Sequence, residues 1–204
     1  MKLLAMSIGS VRPIPGRKAA KTGIYKLPVD HPVMVGTEGL AGDRIVDRKH
    51  HGGRDQAVYI EGSVDYDWWR AELGQDLPAG TFGENLLVEG LSNREIAVGD
   101  RLEIGDVVLE ITSARMPCST FAARMDDRMF VKRYTRAARP GAYARVLSEG
   151  TIRAGDEVAY LPFDGARITM PDLMRTYGKR LEGDERERYL SAPIHHKLRE
   201  FLGG

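Results

Sequence analysis

The sequence contains one cysteine, Cys118, in the segment SARMPCSTF, which follows a strand-like run and precedes a helix-like run. Pro117 restricts the backbone that enters this position, and Arg115 lies three residues before the cysteine. A helix N-terminus and a nearby cation both stabilise a thiolate relative to a thiol. Cys118 is therefore a candidate nucleophile or a ligand for a soft metal centre. The alternative is a small buried hydrophobic residue, which is the usual role of a free cysteine.

A loop rich in charges and glycines, Gly39–Gly53, has the sequence GLAGDRIVDRKHHGG. Glycine lets the backbone approach a ligand closely, and Lys, Arg and His side chains donate hydrogen bonds to anions. The loop is thus either an anion-binding segment or a solvated charged loop. Its two adjacent histidines do not by themselves predict zinc, because zinc sites need further ligands at helical or loop spacing.

A third candidate segment is Gly80–Leu91, GTFGENLLVEGL, in which Glu84 and Asn85 follow a glycine and precede an apolar strand. Their side chains either hydrogen-bond the edge of a heterocyclic ligand or fix a turn.

A fourth candidate is a basic cluster whose members are Arg124, Arg128, Lys132, Arg133, Arg136 and Arg139. Spacings of four place several of them on one face of a helix. That face is either solvated or binds a phosphate-bearing cofactor beside the cysteine.

The elements that must position these residues are mostly short strands separated by turns rich in glycine and aspartate. The segments VGDRLEI and AGDEVAY share one pattern, a Gly-Asp turn followed by apolar alternation. The predicted strands are Leu3–Ile8, Gly23–Val29, Ala57–Ile60, Leu86–Val88, Arg101–Ile104, Val107–Ile111, Ala142–Leu147 and Glu157–Leu161. Many short strands at this spacing predict a mainly β fold, a closed or nearly closed β-barrel with interspersed helices.

Helices interrupt the strands and then replace them. Ser63–Leu73 is predicted to be a helix that Ser63 caps and Gly74 ends, and Ser119–Ala138 to contain one or two helices. From residue 163 onward the pattern is helical only, so residues 1–162 are predicted to form the barrel domain and residues 163–204 a helical module. A module of about 40 residues is marginal alone, so we expect it to pack on the barrel or on a second subunit.

Composition restricts the classes of protein and partner. The 204 residues include 30 Lys and Arg against 29 Asp and Glu, a net charge of +1, which gives no argument for a nucleic-acid polymer or a membrane surface as partner. A single cysteine implies no disulfide and no oxidising compartment. The N-terminus does not resemble a signal peptide, and no apolar run has the length of a transmembrane helix. The expected location is the cytoplasm.

In their order along the chain, these motifs resemble the MOSC family, named for the C-terminal domain of molybdenum cofactor sulfurase, and in particular its YiiM-like stand-alone bacterial members. The matching residues are Gly39, Gly42, Asp43, Asp47, His51, Gly52, Gly53, Ala57, Val58, Phe82–Leu86, Gly90, Leu91, Val98–Asp100, Arg115, Pro117 and Cys118. The resemblance extends from about the first strand to residue 161. The helical tail resembles, more loosely, the three-helix module that follows the barrel in YiiM-like proteins.

The resemblance implies a MOSC-type barrel that holds the molybdenum cofactor, a molybdenum–pterin compound, in a cleft. By position, Cys118 would bind the metal through sulfur, and Cys118, His51 and Glu84 would serve catalysis. The residues assigned to the cofactor are Asp43, His51, Gly52, Gly53, Glu84, Asn85, Arg115, Arg124 and Arg128, of which the last two are assigned from charge alone. The implied activity is the reduction of small N-hydroxylated compounds of the hydroxylaminopurine type. A separate reductase would donate the electrons, because the sequence carries no flavin or iron–sulfur motif.

Two other functions stay open at this point. The protein could carry the cofactor, or a persulfide on Cys118, without catalysing reduction. It could also be a cofactor-free thiol enzyme in which Cys118 is the nucleophile and His51 the base. The helical tail could cover the cleft or form a homodimer contact.

Overall fold

Short strands dominate the computed structural model, which describes residues 1–14, 20–48 and 51–203. The predicted strands are confirmed with shifted ends, and two of them, Leu86–Val88 and Arg101–Ile104, have the predicted bounds. The strands are β1 (Leu3–Gly9), β2 (Arg12–Pro13), β3 (Lys21–Thr22), β4 (Lys26–Val29), β5 (Val33–Gly36), β6 (Gly39–Leu40), β7 (Val58–Gly62), β8 (Leu86–Val88), β9 (Arg101–Ile104), β10 (Val107–Ala114), β11 (Ala142–Ser148), β12 (Gly150–Ile152) and β13 (Ala159–Leu161).

The helices are short, and most end at identifiable signals. They are α1 (Ser63–Leu73), α2 (Ser119–Arg124), α3 (Phe130–Ala137), α4 (Met170–Thr176), α5 (Gly183–Leu190) and α6 (His196–Phe201), with a 3-10 turn at Arg54–Gln56. The bounds of α1 are as predicted, and Gly74 ends it in a left-handed conformation. The predicted cap is wrong: Gly62 is the N-cap, and the Ser63 hydroxyl instead accepts a hydrogen bond from Gly90 N. None of the helices in the described ranges is long and apolar enough to span a membrane.

The main sheet has eight strands in the order β13-β9-β10-β11-β7-β8-β1-β4. Its pairs are antiparallel except for β7 and β8, which run parallel. A closed barrel is not confirmed, because the edge strands β13 and β4 do not pair with each other within the described ranges. Pro28 in β4 has no N–H to donate to a further strand, which fits an edge position. A short run of backbone hydrogen bonds between residues 1–3 and 155–158 links the two halves of the sheet instead.

The buried apolar residues form two clusters. The larger one lies against the sheets and includes Ile168, Leu173, Tyr189 and Leu202 from the C-terminal segment, so the last helices share the core of the strands. The smaller one is largely aromatic and lies between α1, α2 and α3. Trp69 and Tyr134 are stacked, and the other ring contacts among Trp69, Phe82, Phe121, Phe130 and Tyr134 are edge-on or tilted. The division between residues 162 and 163 stays a prediction, because a shared core does not test whether the module folds separately.

A single buried carboxylate, Asp100, fastens the C-terminal segment to the sheet. It is 0% exposed and accepts hydrogen bonds from the backbone N–H groups of Ala97, at 2.7 Å, and Phe163, at 2.8 Å. The hydroxyl of Tyr160 and the guanidinium of Arg167 also donate to it. The carboxylate therefore satisfies donors from both sides of the junction.

We expect Asp100→Ala to lower the free energy of unfolding by about 3 kcal/mol, because it leaves buried backbone N–H groups without acceptors and Arg167 without its partner. Urea unfolding followed by circular dichroism measures the change. Asp164→Ala removes an exposed carboxylate from the same segment and serves as the matched control. Equal stability of the two variants would contradict the anchoring role of Asp100.

Candidate functional site

A cavity of about 320 Å³ lies where the loop after β10, the loop around residues 43–52 and the starts of β4, β7 and β8 meet. It brings together residues that are far apart in the sequence. The predicted site residues that line it are Asp43, His51, Gly52, Asn85, Arg115 and Cys118. Glu84, Gly53, Arg124 and Arg128 are not among the residues that line it. His50 lies outside the described residues.

Cys118 lies at the cavity wall, half-buried, with an extended backbone immediately before α2. Burial by itself would raise the pKa of the thiol, but a hydrogen bond from His51, the positive charge of Arg115 and two backbone N–H groups of α2 lower the pKa to about 6. At neutral pH the thiolate form therefore predominates. A half-buried thiolate that faces a cavity is suited to nucleophilic attack or to ligation of a soft metal.

Arg115 supplies a buried positive charge at the same wall. It is 3% exposed, and its guanidinium carbon lies 4.0 Å from the centroid of the Phe121 ring. One guanidinium nitrogen donates to the carbonyl of Met116, whereas Nε is buried and has no hydrogen-bond partner among the described residues. Burial acts to lower the pKa of Arg115, but the tyrosine hydroxyls and Cys118 around it raise the pKa above its ordinary value. Arg115 thus places a fixed cation at the cavity lining.

Asp43 is the centre of a polar cluster in the cavity lining. Its Oδ1 accepts a hydrogen bond from Gly9 N at 2.7 Å, and its Oδ2 accepts from Asn85 at 3.0 Å and forms an ion pair with Lys26. Burial lowers the pKa of Lys26, and the charge of Asp43 opposes that effect. The sequence reasoning did not include Lys26. The indication in the sequence is that Lys26 stands two residues after Ile24. Alternate residues of a strand face the same side, so Lys26 is expected to share the inward, apolar face of Ile24.

Asn85 has a structural role beside the cavity. Its Oδ1 accepts from Tyr59 N at 3.1 Å, and its amide nitrogen donates to Ser7 O at 3.2 Å as well as to Asp43. The side chain therefore joins β1, β7 and the charged loop. Its two amide hydrogens are both used in these bonds, so Asn85 shapes the cavity wall.

Glu84 points into a turn instead. Its carboxylate accepts hydrogen bonds from the hydroxyl of Tyr66 and from the backbone N–H groups of Gly80 and Phe82. Burial raises the pKa of Glu84 to about 7, against the lowering effect of the hydrogen bond from Tyr66. The structure thus favours the turn-fixing alternative for Glu84 over a direct contact with a ligand.

The predicted helical face of basic residues is wrong for Arg124 and Arg128. A turn at residues 125–129 separates α2 from α3, with Asp126 at φ 49°, so Arg128 lies in the turn and is exposed. Asp127 stabilises the break by accepting from Met129 N at 2.8 Å. Arg124 stacks on Tyr25, with its guanidinium carbon 5.1 Å from the ring centroid.

Two tyrosines that sequence reasoning missed also line the cavity. Tyr59 of β7 and Tyr143 of β11 are paired in register, and their ring centroids lie 5.0 Å apart. Burial raises the pKa of both hydroxyls. Neither was detectable locally, because each reads in the sequence as an ordinary aromatic residue of a buried strand.

A second cluster of titratable side chains lies outside the cavity lining. Ligand-type atoms of Asp55, His195 and His196 lie within 4.8 Å of one another. Asp55 is already bound by Arg145, at 3.1 Å, and by both the backbone N–H and the ring of His196. His195 Nδ1 accepts from Lys197 N at 3.0 Å. These atoms therefore fasten α6 to the 3-10 turn.

We expect the alkylation rate of Cys118 to rise with pH around a midpoint near pH 6, because only the thiolate reacts. His51→Gln should raise the midpoint by about one unit, since it removes the hydrogen bond to sulfur. The measurement is the rate of reaction with iodoacetamide across pH, and His31→Gln, at an exposed histidine, is the control. A wild-type midpoint near the ordinary thiol value of about 8.5 would contradict the arrangement.

Comparison with known proteins identifies the family. The MOSC domain matches residues 47–159, more than half of the chain. The chain is 33% identical over 144 residues to the uncharacterized protein YflK of Bacillus subtilis (71% of this chain, 65% of YflK). It is 34% identical over 144 residues to a protein named reductase from Gibberella moniliformis (69% of this chain, 26% of that protein). It is 27% identical over 149 residues to YiiM of Escherichia coli, covering 72% of this chain and 66% of YiiM. The matches thus span less than two thirds of each relative.

Solved structures agree on the fold. The crystal structure of YiiM from Geobacillus stearothermophilus superposes with a TM-score of 0.80 at 25% identity, covering 99% of this chain and 97% of that one. The crystal structure of YiiM from Escherichia coli gives a TM-score of 0.75 at 20% identity, covering 100% and 91%, and this likeness concerns the fold alone. The sheet-rich architecture with its C-terminal helices is therefore that of the YiiM structures. On the domain match and the identity to YflK together, the chain belongs to the MOSC domain family.

Proposed function

We propose that the chain binds the molybdenum cofactor in the cavity and reduces small N-hydroxylated compounds of the hydroxylaminopurine type. The observation that carries the proposal is the thiolate of Cys118, held at the cavity wall beside the buried cation Arg115. Membership of the MOSC family supports the cofactor, and the relative named reductase supports the class of reaction.

The residues of the cavity fit the proposed cofactor. A thiolate is the protein ligand that suits a soft molybdenum–sulfur centre, and Cys118 provides it. The buried Nε of Arg115 has no partner among the described residues and offers a donor to an anionic group of the pterin. Gly52, with φ 76°, brings backbone to the lining at a position where a side chain would meet Ile45. Arg115 and the 51–52 segment would thus hold the cofactor while Cys118 holds its metal.

The reaction consumes two electrons and two protons for each N–O bond: R–NHOH + 2 e⁻ + 2 H⁺ gives R–NH₂ + H₂O. When bound, the cofactor supplies the electron pair, which a separate reductase protein replenishes. The chain's own residues orient the substrate and handle protons. His51 is the better placed of the two predicted proton-handling residues, since it contacts the sulfur of Cys118 and lines the cavity, whereas Glu84 does not line it.

The hydrogen bond between Cys118 and His51 also favours a second candidate, a cofactor-free thiol enzyme. In that case His51 would accept the proton of the Cys118 thiol, and the sulfur of Cys118 would attack the substrate. Membership of the MOSC family and the relative named reductase support a cofactor-dependent reaction, so we favour the reductase. A carrier of cofactor or sulfur would use the same cavity without reducing a substrate.

We expect protein purified from a host that makes the cofactor to contain molybdenum and pterin in equal amounts, measured by elemental analysis and pterin fluorescence. With an artificial electron donor, this protein should reduce a hydroxylaminopurine.

Cys118→Ser should abolish turnover while the melting temperature stays unchanged, because it removes the thiolate and keeps the shape of the side chain. Ser119→Ala, at the exposed neighbour, is the matched control and should keep both metal and activity.

The outcomes separate the three candidates. Bound cofactor without reduction would indicate a carrier. Activity that needs Cys118 but no metal would indicate the thiol enzyme. Retained reductase activity in the serine variant would refute the assignment of Cys118.

A further inference from the structure

Glu61 is a buried carboxyl group that the proposed chemistry has not used. It lies on β7, two residues after Tyr59, so the strand's period of two puts both side chains on one face. The group is 1% exposed, and one of its oxygens is hydrogen-bonded to the hydroxyl of Tyr59 and the other to the amide of Asn93. The fit is close: a methyl group added at Gly141 would lie 2.5 Å from Oε1.

The surroundings of Glu61 favour its neutral form. Within the part of the chain that the structure describes, no cation forms an ion pair with it. Burial, together with the nearby Glu84 and Asp65, raises the pKa of Glu61 to about 8, against the lowering effect of the hydrogen bonds from Tyr59 and Asn93. The titratable groups that face it from the neighbouring elements are Tyr59, Asp65, Tyr66, Glu84, Tyr134 and Tyr143. The cations beside these groups are Arg139, which pairs with Asp65, and Arg115, which acts on the Tyr59 hydroxyl. Neither of them forms an ion pair with Glu61, so burial decides and a protonated carboxyl is the stable state near neutral pH.

Tyr59 connects this carboxyl to the cavity. Its side chain lines the cavity against Tyr143, and its hydroxyl reaches back to Glu61. In the structure the phenol O–H donates to Oε1 of Glu61. When Glu61 is protonated, its own O–H can instead donate to the phenol oxygen, which releases the phenol hydrogen from this bond. Burial raises the pKa of Tyr59 well above its ordinary value, so the phenol cannot release a proton unless another proton replaces it. Glu61 is in position to make that replacement.

We infer that Tyr59 and Glu61 form a proton-delivery pair for the cavity, with Tyr59 as the catalytic acid and Glu61 as the positioning residue behind it. The inference rests on the proposed reductase function. In the step, the Tyr59 O–H bond breaks as its proton moves to the oxygen that leaves from nitrogen. The proton of Glu61 moves to the phenol oxygen at the same time, so no phenolate accumulates. The electron pair comes from the cofactor and its donor, the second proton comes from bulk water, and water then reprotonates Glu61.

A purely structural role explains the pair less well. A phenylalanine at position 59 would pack against Tyr143 equally well, and an apolar residue at position 61 would avoid the cost of burying a carboxyl group. Arg115 also acts on the Tyr59 hydroxyl, where its charge stabilises negative charge that develops during proton transfer. The cation therefore supports both the thiolate and the phenol.

The test compares Glu61→Gln and Tyr59→Phe with the wild type, all loaded with cofactor and supplied with a hydroxylaminopurine. We expect kcat to fall about 100-fold in each variant with little change in KM, because proton transfer and not binding is impaired. Protonated Glu61 is the active form, so wild-type kcat should decrease as pH rises through about 8, and this decrease should be absent in the Glu61→Gln enzyme. Tyr160→Phe, which removes the phenol of another tyrosine–carboxylate pair outside the cavity lining, should keep wild-type activity.

An infrared titration gives a readout that does not depend on the cofactor. The difference spectrum between wild type and Glu61→Gln should contain the C=O band of a protonated carboxyl below pH 8, and the band should disappear above it. Absence of that band at neutral pH would overturn the inference, as would wild-type kcat and pH profile in an intact Glu61→Gln enzyme. If the loaded wild type reduces no N-hydroxylated compound, the proposed function fails and the pair loses its role with it. The two failures are thus distinguishable.

Discussion

The cavity depends on one constraint: the guanidinium of Arg115 is buried and stays charged. Taking a cation out of water is costly unless the surrounding groups compensate for the lost hydration. Here the ring of Phe121, the carbonyl of Met116 and the thiolate of Cys118 provide that compensation. The interaction is mutual, since the same charge lowers the pKa of the thiol. The stability of a buried arginine and the reactivity of a cysteine are therefore consequences of a single arrangement.

The buried carboxyl groups around this centre fall into two kinds. Some are paired with cations: Asp43 with Lys26, Asp65 with Arg139 and Asp100 with Arg167. These ion pairs fasten loops or segments to the sheet. Glu61 and Glu84 instead receive hydrogen bonds from neutral donors, and burial raises the pKa of both. The two kinds differ in their neighbours, which are cations for the first and neutral hydrogen-bond donors for the second.

The sequence alone predicts those features that depend on interactions between residues close together in the chain. The C-terminal end of α1 follows from Gly74, and Cys118 with Arg115 and Pro117 could be recognised within one short segment. Whether the sheet closes into a barrel could not be predicted from the sequence, because the pairing of edge strands depends on twist and register over the whole sheet. The partnership of Tyr59 with Tyr143 depends in the same way on the pairing of β7 with β11.

Local pattern also misled in two places. A spacing of four predicted a continuous basic face, but Asp126 takes a left-handed conformation that no helical periodicity signals, and the helix breaks there. Glu84 and Asn85 are neighbours in one motif and were assigned together. In extended chain adjacent side chains point to opposite sides, and only Asn85 is directed to the cavity.

The cavity is built from two kinds of backbone. Tyr59 and Tyr143 belong to hydrogen-bonded strands, so the floor has the rigidity of the sheet. Lys21–Ile24 and Arg44–Asp47 also line the cavity and lie mostly outside regular strands. Evolution can therefore vary the entrance, and with it the range of molecules admitted, without disturbing the geometry of the groups beneath. Because the loops control which molecules enter and the strands hold the reactive groups, the fold is suited to accepting different related substrates.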